Sequence, residues 1–433
     1  MILDAVSLSQ PRLRFASAVP SRVHAEAYRG LRLHGPFDAS AVTLPPRSVL
    51  FVYPTQLQPL ARRLAEALRD GYKSFPGFEK MFRVPFQGTA MAPLAIDADI
   101  SAPTAAAQSY REAIEAWSPT ADPVPQLALV LVPHSERWET ERPYYEAKAA
   151  FARLGIPTQM VTTELLQNER EFSWSVANIA LATFAKLGGI PWTLDAPAGE
   201  HDLVIGVGRA DVQRADGPER IFGYALSFIS NGVYRHAWSF TPAADEATYL
   251  DRLEGTLVDA LSADRDYDEP VKRLVVHLTK KTGRREIDAV RRAMARADVE
   301  LPAAFLRVDD SSLYDLADVR EDTFAPPKGL VVRIAEYQRL LQIQELGPLG
   351  PPEGPLLVAL DDRSDVGPEA LDDLAAQAFR LAHANWRAFN ARYSPVTVVY
   401  GELLAKLVGY LEEVETWDPS LLRGELLNRP WFL

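Results

Sequence analysis

The chain has 433 residues, 47% hydrophobic and 24% charged, longer than one core usually serves, so two globular domains are expected. It has no Cys, which excludes disulfides, thiolate chemistry and Cys-based zinc sites. Its formal net charge of −12 argues, taken whole, against nucleic acid binding. No apolar stretch is long enough to span a bilayer, and the start "MILDAVSLSQPRLRF" lacks the basic opening and long apolar centre of a secretory signal. No membrane contact and a cytoplasmic location are therefore expected.

In chain order, residues 48–54 ("SVLFVYP") read as a buried strand followed by the helix "QPLARRLAEALRDGY". Residues 126–133 form a second buried strand, leading through "HSERWETERP" into a helix around Tyr144; residues 156–162 form a short strand and residues 175–189 a helix ended by a Gly pair. This alternation predicts a parallel sheet covered on both faces over about 46–190. From residue 202 the pattern changes. The strand 202–212 precedes "RIFGYALSFIS" and "GVYRHAWSF", joined by the hairpin signal Asn-Gly. Helices at 246–263 and 284–296 flank the strand 273–279. Strand-like runs at 303–310, 329–336, 339–346 and 355–362 follow, then helices near 368–389 and 400–415. A mixed sheet of the RNase H type is predicted. Residues 272–292, "KRLVVHLTKKTGRREIDAVRR", hold eight Lys or Arg against Glu286 and Asp288, a local balance of +6. Such runs are usually solvated helix faces, and a strand-binding channel is the sharper reading.

Tyr144 and Lys148 lie four residues apart and so share one helix face. With Gln159, Asn178 and Lys186 they form a set able to hold a terminal phosphate. Two lysines supply charge, Gln159 a neutral donor, and Tyr144 a flat face for an unpaired base. Each is singly an ordinary surface side chain.

The order Tyr144-x-x-x-Lys148, then Gln159, then Lys186 in "NIALATFAKLGGIPW" resembles the MID domain of prokaryotic Argonautes. In those proteins the matching residues hold the 5′ phosphate of a guide strand. The resemblance runs over nearly the whole chain. "GLRLHGPFD" resembles the entry segment, "DLVIGVG" the first PIWI strand, and "LVVHLTKKTG" the next central strand. "APPKGLVV", "LAHANWRAFNARYSPVTVVYGELLAKL" and "NRPWFL" also fit PIWI. It implies an α/β architecture in which a Rossmann-like MID domain (46–190) precedes an RNase H-like PIWI domain (191–433), with segment 1–45 packing on PIWI. It also implies that the terminal carboxylate of Leu433 reaches the MID pocket and helps hold Mg²⁺ against the guide phosphate, a bridge that suits an oxygen-seeking ion.

Slicing PIWI domains hold two metal ions with clustered carboxylates. The first is expected where this chain has Gly208 and another where it has Thr279. Asp211 is an odd number of residues from Gly208, hence predicted on the opposite strand face, and Glu402 lies near a fourth position. The expectation is no cleavage. No room exists before residue 46 for N and PAZ domains, so the chain resembles a short Argonaute. That group implies a guide RNA, a single-stranded DNA target, and a partner with a PAZ-like region fused to a TIR, sirtuin-like or nuclease effector in defence. The basic run, with Lys280, Lys281 and Arg284, is expected along the guide–target backbone. The rivals are a nuclease with a metal site rebuilt from Asp211 and Glu402, and a small-molecule binder with two Rossmann-like lobes.

Overall fold

A computed structural model describes residues 4–19, 21–118, 122–133, 142–195, 202–214, 217–239, 246–263, 271–279, 284–310, 313–344, 354–418, 422 and 424–433. Three short strands, β1 (Ala5–Ser7), β2 (Leu13–Arg14) and β3 (Val23–His24), precede α1 (Ala27–His34). Next come β4 (Val49–Pro54), α2 (Gln58–Asp70), α3 (Phe78–Phe82), β5 (Met91–Ile96), α4 (Pro103–Trp117), β6 (Leu127–Val132), α5 (Arg142–Arg153), β7 (Thr158–Thr162), α6 (Thr163–Gln167) and α7 (Glu169–Lys186). The remainder comprises β8 (Thr193–Leu194), β9 (Asp202–Arg214), β10 (Gly217–Ile229), β11 (Tyr234–Ser239), α8 (Glu246–Ala263), β12 (Arg273–Leu278), α9 (Arg284–Arg296) and β13 (Ala303–Asp309). It ends with β14 (Leu330–Ala335), β15 (Gln338–Leu341), β16 (Leu356–Leu360), α10 (Leu371–Leu381), α11 (Val396–Leu411) and α12 (Gly424–Leu427).

Four parallel strands in the order β5-β4-β6-β7 form the first sheet. β4 and β6 are buried along their whole length, as near-continuous apolar strands covered on both faces must be. Alternate residues serve opposite faces: Val49, Phe51 and Leu129 pack in one cluster with Leu64 of α2 and Phe184 of α7. Leu50, Val52 and Val130 pack in another with Tyr110 of α4 and Phe151 of α5. β5 and α4 escape the sequence reading. β5 is a partly exposed edge strand carrying Pro93, where a missing N–H costs no ladder bond.

The second sheet has nine strands in the order β1-β14-β15-β16-β13-β12-β9-β10-β11. β12 runs parallel to both β9 and β13, while β9–β10 and β10–β11 are antiparallel. Asn231-Gly232 makes the second turn, with Gly232 at φ +82°. One face carries Leu203, Ile205, Leu274 and Val276 against Leu257 of α8 and Val290 of α9. On the other, Val204 and Val275 pack in one cluster with Leu404 of α11. This is the mixed RNase H-like sheet the pattern implied. The N-terminal strand β1 pairs with β14 at its edge, and β2 pairs with β3 and β8 in a small third sheet.

Two helices differ from the sequence reading. α7 starts at Glu169, six residues before the 175 read from apolar periodicity, because the side-chain oxygen of Asn168 accepts from the backbone N–H groups of Arg170 and Glu171. α10 ends at Leu381. Beyond it the chain is irregular, tied by Trp386 Nε1 donating to the Trp192 carbonyl and Trp192 Nε1 donating to that of His383.

Candidate nucleic-acid interface

A cavity of about 520 Å³ lies where α5, β7 and α7 meet α11 and the C-terminal residues. Tyr144, Gln159 and Asn178 line it, and so does Leu433. Lys148 and Lys186 do not line it. Both are completely buried behind its wall, so the expectation of an aromatic ring and an ammonium side by side on a helix surface is corrected. Lys148 Nζ sits 5.8 Å from the ring centre of Tyr144 and 5.7 Å from that of Trp431. It donates to Thr158 Oγ1 at 3.3 Å and to the Trp431 carbonyl at 3.5 Å. Lys186 Nζ donates to the Thr158 carbonyl at 2.9 Å and to Gln159 Oε1 at 2.8 Å. The Gln159 amide is thus held from behind by a lysine, and its own Nε2 donates to the Met160 carbonyl.

The sequence reading missed Arg387 and Lys406, which line the same cavity from more than 200 residues downstream of Tyr144. Lys406 is a lone cation in the largely apolar helix α11, a signal available in the sequence. Arg387 has its electrostatic effect on both buried lysines. Burial lowers Lys148 from its ordinary value to about 7, and Arg387 adds to the shift. Burial pushes Lys186 down as well, with Lys148 and Arg387 both contributing. Like charges held this close in a dry wall favour loss of a proton, or arrival of an anion. Tyr144 is fixed by its neighbours: its ring meets Tyr145 edge-on at 5.0 Å, and Tyr145 stacks on Tyr410 of α11 at 5.2 Å. Asn178 Oδ1 accepts from the backbone N–H of Phe389.

The basic run is less available than its count implies. Arg273 pairs with Asp202, Arg291 with Asp365 and Arg292 with Glu254. Arg284 is exposed at the start of α9, and Lys280 and Lys281 lie outside the described residues.

On the other face of the large sheet, Gly208 is buried against α11. A Cβ there would lie 2.2 Å from the carbonyl carbon of Gly401 and 2.5 Å from its Cα. Gly206 is sealed the same way by the Thr397 backbone. His277, paired in register with Gly206, is fully buried, with Nδ1 2.8 Å from Thr397 Oγ1, and burial pushes it down to about 3. Thr279 follows the end of β12, Asp211 stands opposite Arg220 in the backbone register of β9 and β10, and Glu402 accepts a long 3.5 Å bond from the Tyr393 hydroxyl. Among the described residues no three His, Cys, Asp or Glu are grouped to hold a metal ion. No helix among them is long and apolar enough to cross a membrane.

Residues 130–306 match the Piwi domain. The chain is 28% identical over 442 residues to the Protein argonaute of Cereibacter sphaeroides, covering 94% of this chain and 56% of that one. Part of the chain is thus similar to the Piwi domain, and most of it to an Argonaute protein. The chain is 25% identical to the Piwi protein of Archaeoglobus fulgidus over 320 residues, covering 67% of this chain and 71% of that protein. The fold superposes on Clostridium butyricum Argonaute bound to a guide DNA and a 19-mer target DNA with a TM-score of 0.72 at 17% identity, covering 98% of this chain and 55% of that one. The chain spans about half the length of two of the relatives it matches.

Proposed function

We propose that this chain is a guide-binding Argonaute subunit that recognises a complementary strand without cutting it. The observation that carries the reading is a cavity lined by Tyr144, Gln159, Asn178, Arg387 and Lys406, with Lys148 and Lys186 buried behind its wall. A 5′ phosphate brings nearly two negative charges to cations that burial and mutual repulsion leave poorly stabilised. Its nucleotide base then meets the Tyr144 ring. In the full reading the guide is RNA, the target is single-stranded DNA, and binding activates a PAZ-like-region partner carrying a TIR, sirtuin-like or nuclease effector in a defence role. Sequence is read by base pairing, while the protein grips backbone and shape, with Lys280, Lys281 and Arg284 along that path. Gly208 and Thr279 support the absence of cleavage, because neither supplies an anionic ligand and the first has no space for one.

Mg²⁺ fits the donors present. Glu164, Glu171, Gln159 and Leu433 bring oxygen atoms to the cavity, the type Mg²⁺ prefers. Leu433, with the neighbouring acids, would hold the ion, which would supply charge neutralisation beside a bound phosphate, as the family resemblance implies.

The test is guide affinity with a 5′ phosphate against a 5′ hydroxyl, for wild type and Lys148→Ala, with magnesium present or chelated. A phosphate preference that collapses in the variant and weakens without metal is expected. An affinity indifferent to all three changes would remove the site.

A further inference from the structure

Trp174 is 75% exposed. It sits on α7, whose Glu171, Ser175, Asn178 and Ala182 line the phosphate cavity. At about 100° of helix per residue, those four fall on one stripe. Trp174 lies about 40° from Asn178 and about 60° from Glu171, on the flank of that stripe. Its carbonyl accepts from Asn178 Nδ2, one turn on. Arg170 is exposed four residues earlier, on the same face as Trp174. The other side of α7 is committed to the core through Phe172, Val176 and Phe184. An indole this open gains nothing from packing. It flanks the helix stripe that lines a cavity holding Arg387 and Lys406, with the exposed Arg170 one turn away.

We propose that Arg170 and Trp174 form a second strand contact, where nucleic acid leaving the cavity stacks one unpaired base on the indole and sets a backbone phosphate against the guanidinium. This rests on the reading of the cavity as a strand-end site. A single-stranded nucleic acid is the occupant because the face is continuous with that cavity and combines the two elements such strands require, an aromatic platform and a cation. The anchored 5′ nucleotide belongs to Tyr144, so the base on Trp174 is one of the next few. Holding it flat would order the strand before it pairs.

The experiment measures the affinity of the full chain for a 5′-phosphorylated oligonucleotide made abasic, one site at a time, at nucleotides two to four. In wild type one of these sites should cost about tenfold, the scale of base–aromatic stacking. Trp174→Ala should abolish that cost, and Trp174→Phe should keep most of it. Arg170→Gln should lower the slope of log affinity against log salt by about one contact. An abasic profile identical in wild type and Trp174→Ala overturns the proposal. The 5′-hydroxyl oligonucleotide separates the two readings. If wild type ignores the phosphate yet Trp174 still governs the abasic cost, the cavity reading fails and the strand contact stands. If the phosphate matters and Trp174 does not, only the strand contact fails.

Discussion

Gly208→Ala and Gly255→Ala are chemically the same change, and the structure demands opposite outcomes. At Gly208 the new Cβ falls 2.2 Å from the Gly401 carbonyl carbon, well inside ordinary carbon contact, and every nearby atom is backbone. No rotamer relieves that clash. α11 must lift off β9, although most of its residues are buried. Overpacking of a close-fitted core costs 1–3 kcal/mol, and with backbone on both sides we expect about 3 kcal/mol. Gly255 lies inside α8 with nothing within 4 Å of a Cβ, so alanine should stabilise by about 0.5–1 kcal/mol through the unfolded chain. Urea midpoints of both variants against wild type check the pair. Gly208→Asp adds the desolvation of a buried carboxylate to the clash, so placing an acid there should destabilise strongly. It should give no guided cutting with manganese. A Gly208→Ala midpoint within error of wild type, or cleavage by Gly208→Asp, would refute the sealed β9–α11 contact and with it the argument that no side chain fits there.

If the cavity holds a guide phosphate as proposed, the two buried lysines should make that binding pH-dependent. In the unfolded chain Lys148 keeps its proton to near 10.5, but in the folded chain only to about 7. Between those values the unfolded state holds more protons, so the unliganded protein should gain stability as pH rises through the window, read by thermal midpoints from pH 7 to 10. A bound phosphate favours the charged lysine, so affinity for a 5′-phosphorylated guide should fall above pH 7, by up to about tenfold per unit. Lys148→Met should flatten that fall. Arg387→Gln removes a charge-assisted partner and should cost about 1.5–3 kcal/mol of phosphate-dependent affinity at pH 7. It should also move the pH-dependent fall upward, because one repelling charge on each lysine has gone; a parallel loss of 5′-hydroxyl binding would show a merely structural role. Arg284→Glu should weaken guide–target binding and reduce its salt slope by one or two contacts. An unchanged slope would remove α9 from the channel.

Much of the framework was legible because burial on both faces leaves a continuous apolar mark. β4, β6 and β12 are such strands, and each reads to within a residue or two. β5 and α4 were not, since an edge strand containing Pro93 and a helix opening on "PTAAA" carry weak versions of the same mark. Within the site the local part was legible. Tyr144, Gln159 and Asn178 reach one cavity because β7 and its flanking helices are neighbours in the chain. What a one-dimensional pattern could not carry was depth. A Lys at i, i+4 from a Tyr reads as a surface pair, and only the packing of Trp431 over it places Lys148 in the interior.

That difference in depth is also a difference in chemistry. A surface lysine would contribute a screened point charge of modest worth. Two lysines in a buried wall, with Arg387 at the cavity, are protonated more readily as a dianion arrives, and once charged they interact with it more strongly than surface lysines would. The cost appears as depressed proton affinity in the unliganded protein. Trp431 and Leu433 belong to the segment that closes this wall, and Arg387 and Lys406 come from the large-sheet half. The cavity therefore exists only when the two sheets are docked, and a phosphate bound there would tighten that docking. A guide-loaded protein should then resist opening between its halves, an effect that hydrogen exchange along α5 and α11 would report as joint protection. Protection confined to α5 would mean that the phosphate is held by the small sheet alone, and that Arg387 acts only through its field.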